Sequence, residues 1–307
     1  MSDTLAAMQR QPNDTLKLVA LASIGVAVAV MGFKYAAYWV TGSAALYSDA
    51  LESIVNVITA LIALYTIHVA SQPADRKHQF GHHKAEYFSA VIVGALIIVA
   101  ALLILREAYE AYVSPRTLAN LDQGLAFSAL ATIFNGAWSA FLITWGRRQR
   151  SPALVADGRH LSTDVATSVG VLVGLGLVIV TGWQVLDPAL AALVALNILW
   201  TGMRLMKESV GGLMDEAVAA TVARRIREVI ATNAEGAIEA HDLKTRIAGR
   251  VTFIEFHLVV PGTMTVATSH DICDRLEAAL TEAVHGAEVL IHVEPEGEAK
   301  HKGVPIV

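Results

Sequence analysis

The sequence predicts an all-α membrane domain of six helices over residues 1–210, followed by a C-terminal α+β domain over residues 211–307. Three observations predict it. Of the 307 residues, 54% are hydrophobic and 17% charged, with a mean hydropathy of +0.51, a balance too apolar for an ordinary soluble protein. Six apolar runs are each long enough to cross roughly 30 Å of hydrocarbon. Past Met206 charged residues become frequent, and no further apolar run exceeds about eight residues, too short to span.

The runs fall near residues 18–40, 44–70, 86–112, 123–145, 161–183 and 186–206. The polar start carries Arg10 and Lys17 but no small-residue cleavage site within signal-peptide length, so residue 18 onward reads as a retained first span. Orientation comes from the short loops, where Lys and Arg accumulate on the cytoplasmic side. The loop after the second run carries Arg76, Lys77 and Lys84, and the loop after the fourth carries Arg147, Arg148, Arg150 and Arg159. Both are expected inside. The turns at 41–43 and 181–188 hold no basic residue, and the 106–122 connection mixes Arg106 and Arg116 with Glu107, Glu110 and Asp122, so these three face outward. An even number of spans then leaves both termini in the cytoplasm, with the chain a multi-pass protein of the cell inner (plasma) membrane.

In the C-terminal part, residues 216–232 and 268–284 have helical periodicity, while 238–246, 250–260 and 288–293 read as strands. The order is αββαβ, a ferredoxin-like arrangement. About 90 residues give a modest core, one that draws on metal or a second copy for stability. The net charge of -5 leaves no basic surplus for nucleic acid. The single cysteine, Cys273, can form no internal disulfide and suits a reducing compartment as a structural thiol.

Charged groups inside a span are costly unless they face a cavity and have partners, which makes them functional candidates. Asp49, Glu52 and Asn56 stand at i, i+3 and i+7 in the second run, and Asp157, His160 and Asp164 repeat those offsets at the start of the fifth. Each set falls on one helical face. The pairs Glu52/Asn56 and His160/Asp164 are spaced i, i+4, so two facing helices could present four donors to one cation. Asp49 and Asp157, near the starts of their spans, are expected to cap helices.

Between the second and third runs, Asp75, His78 and His82 have the compact N/O spacing that suits zinc-like ions, with His83 an extra donor and Glu86 placed to orient a histidine. Six of the eleven histidines lie in the C-terminal part, at 241, 257, 270, 285, 292 and 301. His257 ends an alternating strand and His292 precedes Glu294, so imidazoles from neighbouring strands could converge with a carboxylate. His285 and His301 read as ordinary surface residues.

Taken together, this pattern resembles the cation diffusion facilitator family over nearly the whole chain. The motifs that carry the resemblance are Glu52/Asn56 with His160/Asp164, the stretch from Gln72-Pro73-Ala74-Asp75 to Gly81-His82, Ala240-His241-Asp242-Leu243-Lys244-Thr245-Arg246, Phe256-His257, Ser269-His270 and Ile291-His292. The resemblance implies a transport site at Glu52, Asn56, His160 and Asp164 and a second site at Asp75, His78 and His82. It also implies regulatory metal held by His241, His257, His270, His292 and Glu294 near a dimer interface. It further implies a V-shaped homodimer in the lipid bilayer, proton-coupled export and an interfacial ion pair between Lys84 and Asp215. The chain departs from the family in two places. At the transport site Glu52 and Asn56 stand where Asp or His, then Asp, are usual, and a site with more oxygen donors tolerates Mn²⁺ or Fe²⁺ better than a histidine-rich one would. Val293 stands where a polar ligand is sometimes found.

The expected activity is therefore export of a divalent transition-metal ion, Zn²⁺ or else Cd²⁺, Fe²⁺ or Mn²⁺, in exchange for protons. A protonated imidazole cannot ligate metal, so His160 binds the ion only without its extra proton. The competing reading is a membrane-tethered metal sensor that moves no ions. An intramembrane metalloenzyme fits poorly, because the spans lack His-Glu-x-x-His and any Ser/His/Asp or Cys/His arrangement.

Overall fold

The computed structural model of the chain describes residues 14–115, 118–148, 152–300 and 303–305. Arg10, Arg116, Arg150 and His301, read above, lie outside them. Six long helices come first: α1 (Asp14–Thr41), α2 (Ala44–Ala70), α3 (Ala85–Val113), α4 (Leu121–Arg148), α5 (Pro152–Thr181) and α6 (Leu186–Leu213). All six contain windows long and apolar enough to cross a membrane, with mean hydropathies from 1.4 to 3.0. Then follow α7 (Ala220–Asn233), β1 (Glu239–Ala248), β2 (Val251–Val260), α8 (Val266–Ala283), β3 (Ala287–Pro295), a 3₁₀ turn (Glu296–Glu298) and a short β4 (Val304–Pro305).

Three boundaries differ from the sequence expectation. Helix α5 starts at Pro152, ahead of the apolar run, because the polar Asp157, His160 and Asp164 are helical although they interrupt the hydropathy. Helix α6 continues to Leu213, and the 106–122 connection is helical to Val113, where Arg106 Nε donates to Glu110 Oε1 at 2.7 Å across an i, i+4 step.

The chain divides into two compact units, the first up to Ile62 together with Val93–Met203, the second Ala63–Ile92 together with Arg204 onward. Within the first, small residues let helices approach closely, as packing without a hydrophobic driving force requires. A Cβ on Gly158 would lie 2.8 Å from Ile143 Cγ1 and 3.0 Å from the Ser139 carbonyl, and Ser139 Oγ donates to the Gly158 carbonyl at 2.7 Å. Ala37, Ala45 and Leu46 pack with Val171, Leu175 and Val178. Large apolar side chains such as Trp39 and Val180 instead stand exposed, as on helices solvated by lipid.

The second unit contains the α+β layer pair. The sheet runs β3-β2-β1-β4, with β1 antiparallel to β2 and to β4, and β2 parallel to β3. Strand alternation sends Ile254, Phe256, Leu258 and Val260 into a core shared with Ile226 and Ile230 of α7 and Ile272, Leu276 and Leu280 of α8. Cys273 sits in that core, where burial pushes its thiol up. Gly249, with φ +57°, turns β1 into β2. The alternate residues His257, His292 and Glu294 therefore face away from the helices.

Candidate metal sites

Asp75, His78 and His82 lie on the connection between α2 and α3, folded by hydrogen bonds from Asp75 N and Gly81 N to the His78 carbonyl. Asp75 Oδ1 accepts from the backbone N–H of His78 at 2.6 Å and of Lys77 at 2.7 Å. These bonds hold its carboxyl below the usual range, the His78 amide first, and keep it ionised and oriented. His78 Nδ1 lies 3.2 Å and His82 Nε2 3.5 Å from the Asp75 carboxylate. One donor atom from each residue falls within 4.8 Å of the others, a compact three-donor set open to a fourth ligand.

The same unit joins Lys84 Nζ to Asp215 Oδ1 at 2.9 Å within one chain, the two residues that the family resemblance pairs at an interface. Asp215 also lies 3.6 Å from Arg246 Nη1. Its carboxyl is held below the ordinary range, chiefly by the hydrogen bond from Lys84. The Arg246 guanidinium in turn lies 4.1 Å from the Phe253 ring centre and 5.2 Å from that of Phe80.

On the sheet, register puts His241 opposite His257 and His257 beside His292. A bulge after His241, where Asp242 takes φ +52°, shifts the register before Lys244. His257 Nδ1 is 2.8 Å from Glu294 Oε1, and His241 Nε2 is 3.2 Å from Glu294 Oε2. Despite that proximity, both nitrogens of His241, Nδ1 of His257 and Oε2 of Glu294 are buried without a hydrogen-bond partner. Three buried donors, close but misaligned for hydrogen bonds, are the arrangement a cation would satisfy. Their donor atoms also gather within 4.8 Å. His292 is adjacent, 3.8 Å from Glu294 Oε1 but exposed. His270 does not join this group in the single chain; it pairs with Asp274 at 3.7 Å on its own helix. His285 is exposed.

In the membrane helices, Asn56 Nδ2 donates to Asp164 Oδ2 at 2.9 Å, tying α2 to α5. Glu52 stands one turn before Asn56, and His160 one turn before Asp164. Among the described residues the donor atoms of Glu52, His160 and Asp164 are not gathered as closely as the other two sets. Asp49 and Asp157 do not cap helices: α2 begins at Ala44 and α5 at Pro152, so both lie in the second turn. The true cap of α2 is Ser43, whose Oγ accepts from Leu46 N at 3.2 Å, helped by Asp187 of α6. Asp49 instead meets Lys34 Nζ at 2.8 Å, with both side chains 2% exposed. The sequence reading missed Lys34, although it is the only charged residue in the run 18–40.

Six membrane-capable helices and, among the described residues, two compact histidine–carboxylate sets able to hold a metal ion are the features of a multi-pass membrane protein with places for cations. Residues 20–214 match the family described as cation efflux transmembrane domain, and residues 220–296 the family described as cation efflux protein, cytoplasmic domain. An uncharacterized transporter of Synechocystis is 45% identical, over 92% of this chain and 91% of its own. The cation-efflux pump FieF of Serratia proteamaculans is 32% identical over 94% and 95%. Among solved structures, the Zn form of the putative zinc transporter CzrB is 49% identical, covering 28% of this chain and 98% of that one with a TM-score of 0.26. The chain belongs to the cation diffusion facilitator family of multi-pass cation efflux transporters, a transporter family and not an enzymatic one.

Proposed function

We propose that this chain exports divalent transition-metal ions, Zn²⁺ first among them, from the cytoplasm in exchange for protons. The ion crosses at Glu52, Asn56, His160 and Asp164, between α2 and α5, as rigid helix groups rock around it. The observation that carries this reading is the hydrogen bond of 2.9 Å from Asn56 to Asp164, which joins the two helices at the residues singled out by their spacing. Metal must displace the proton of His160 to bind, so loading on one side releases protons and unloading on the other takes them up. Mixed imidazole and oxygen donors suit Zn²⁺ and Cd²⁺, and the neutral Asn56 leaves room for Mn²⁺ and Fe²⁺.

Residues 1–210 conduct and residues 211–307 regulate. The protein works as a homodimer in the inner membrane with both termini in the cytoplasm. Asp75, His78 and His82 hold a second ion, and His241, His257 and Glu294, with His292 and His270, hold regulatory metal.

The test is flux into proteoliposomes carrying a pH-sensitive dye, with Zn²⁺, Cd²⁺, Mn²⁺, Fe²⁺, Co²⁺ and Ni²⁺ in turn. Wild-type protein is expected to move Zn²⁺ with opposite proton flux. His160→Ala and Asp164→Ala abolish it while leaving the dimer intact. Undiminished flux through either variant refutes the site, and metal-dependent conformational change without flux favours a sensor.

A further inference from the structure

Lys34, Asp49 and Ser168 form a closed network inside the membrane helices. Lys34 Nζ donates to Asp49 Oδ1 at 2.8 Å and to Ser168 Oγ at 2.9 Å. Ser168 Oγ donates to the same Asp49 oxygen at 2.7 Å. Lys34 and Asp49 are each 2% exposed and Ser168 1%, and the second oxygen of Asp49 is buried with no hydrogen-bond partner. An ion pair at such depth is expensive, and replacing it with apolar groups is often neutral or stabilising. Its position supplies a reason to keep it. Asp49 precedes Glu52 by one turn on the same face of α2, and Ser168 follows Asp164 by one turn on α5. The network thus stacks next to the Asn56–Asp164 bond. The Asp164 carboxyl lies within Coulombic reach of both Lys34 and Asp49, and so does that of Glu52.

We propose that Lys34 is a positioning residue that sets the charge of the transport site: it neutralises Asp49, so that a cation meets the two carboxylates Glu52 and Asp164 and not three. Two carboxylates balance one divalent ion. A third, unneutralised, would hold the ion too firmly for release, and an unneutralised ammonium would repel it. The i, i+3 spacing of Asp49 and Glu52 places them about 5–6 Å apart at Cβ. At that range, with an effective dielectric near ~20, one unbalanced unit charge changes divalent-ion affinity by more than about tenfold. This proposal rests on the transport-site reading above.

The experiment is Zn²⁺ flux in proteoliposomes with full-length protein, reading KM and maximal rate separately. Asp49→Asn leaves the ammonium unbalanced and is expected to raise KM at least tenfold. Adding Lys34→Met restores KM to within threefold of wild type. Ser168→Ala, which removes hydrogen bonds but no charge, and Lys34→Arg, which keeps the charge, leave KM within threefold. A wild-type KM for D49N, a double variant no better than D49N, or an equal tenfold rise in S168A overturns the proposal. Should D49N fail to accumulate in the membrane, K34M carries the opposite imbalance. Its KM at pH 8 is then expected at least tenfold below wild type with a lower maximal rate, and an unchanged KM overturns the proposal. D164A run in parallel separates the two ideas. If it still transports, the site reading fails; if it is dead while D49N is normal, only the role of Lys34 fails.

Discussion

Asp187 opens α6 in sequence but stabilises the start of α2. Its carboxylate accepts from Ser43 Oγ at 2.5 Å, Ala44 N at 2.8 Å and Ala45 N at 3.1 Å. Ser43, Ala44 and Ala45 have no exposure, and Asp187 is 2% exposed, so water does not replace the bonds. Asp187→Ala strands two buried backbone donors, each costing roughly 1–3 kcal/mol. The Ser43 hydroxyl can rotate to another acceptor, which keeps the expected loss at about 2–6 kcal/mol. Asp187→Asn keeps the shape and one acceptor but removes the charge at the helix N-terminus, worth about 1–2 kcal/mol where partly buried. Equilibrium unfolding by SDS in mixed micelles, followed by tryptophan fluorescence, should rank wild type above D187N and D187A lowest. Zn²⁺ flux should fall in the same order, because α2 carries Glu52 and Asn56. A D187A protein within about 0.5 kcal/mol of wild type would show that this carboxylate is not what satisfies the amides.

Glu294→Gln removes the carboxylate shared by His241 and His257. If Zn²⁺ at about 100 times Kd stabilises the wild type by about 2.7 kcal/mol, a hundredfold weaker site gains only about 0.4 kcal/mol. The Zn²⁺-induced stabilisation of the purified protein should then shrink in E294Q by about 2.3 kcal/mol, leaving only what the other metal sites contribute; an undiminished rise in melting temperature assigns the metal elsewhere. Asp215 is held below its ordinary range by Lys84, so the pair adds stability above the unfolded carboxyl value near ~3.9 and loses it as the pH falls through the lower folded value. Being part-exposed, it is worth under about 1 kcal/mol, and urea unfolding of D215N should differ from wild type at pH 7 but converge with it at pH 2.5. Gly158→Val forces a side chain into Ile143 and the Ser139 carbonyl; at about 1–3 kcal/mol for overpacking, the variant should unfold at lower SDS than wild type, and equal stability would mean α4 and α5 separate freely.

The parts of the fold that were legible in the sequence are those written in a local period. Six apolar runs announce six helices, and the alternation in Phe253-Ile254-Glu255-Phe256-His257 announces a strand with His257 on the face away from the core. That one step also makes the approach of His257 to Glu294 readable, since residues on the same face of neighbouring strands converge once the strands pair; His241 is pointed to by the family resemblance alone. Where polarity interrupts hydropathy the signal fails: the apolar run begins later than α5 does, because the first turns of the helix carry Asp157, His160 and Asp164. Bonds between distant residues leave no local trace at all. Asp187 caps a helix more than a hundred residues earlier in the chain, and its place just before Pro188 looks like an ordinary helix start.

Lys34 is the instructive case, because its signal was present and concerned cost, not period. A lone charge in an apolar run must find an opposite charge or a cavity, and the nearest polar face available to it was the one already drawn through Asp49, Glu52 and Asn56. Treating Asp49 as a helix cap removed its natural partner and left Lys34 unexplained. Each intramembrane charge therefore has to be paired before any of them is assigned to metal: once Lys34 claims Asp49, the carboxylates within one turn of the Asn56–Asp164 bond are Glu52 and Asp164, and in the proposed site these two match the charge of one divalent ion.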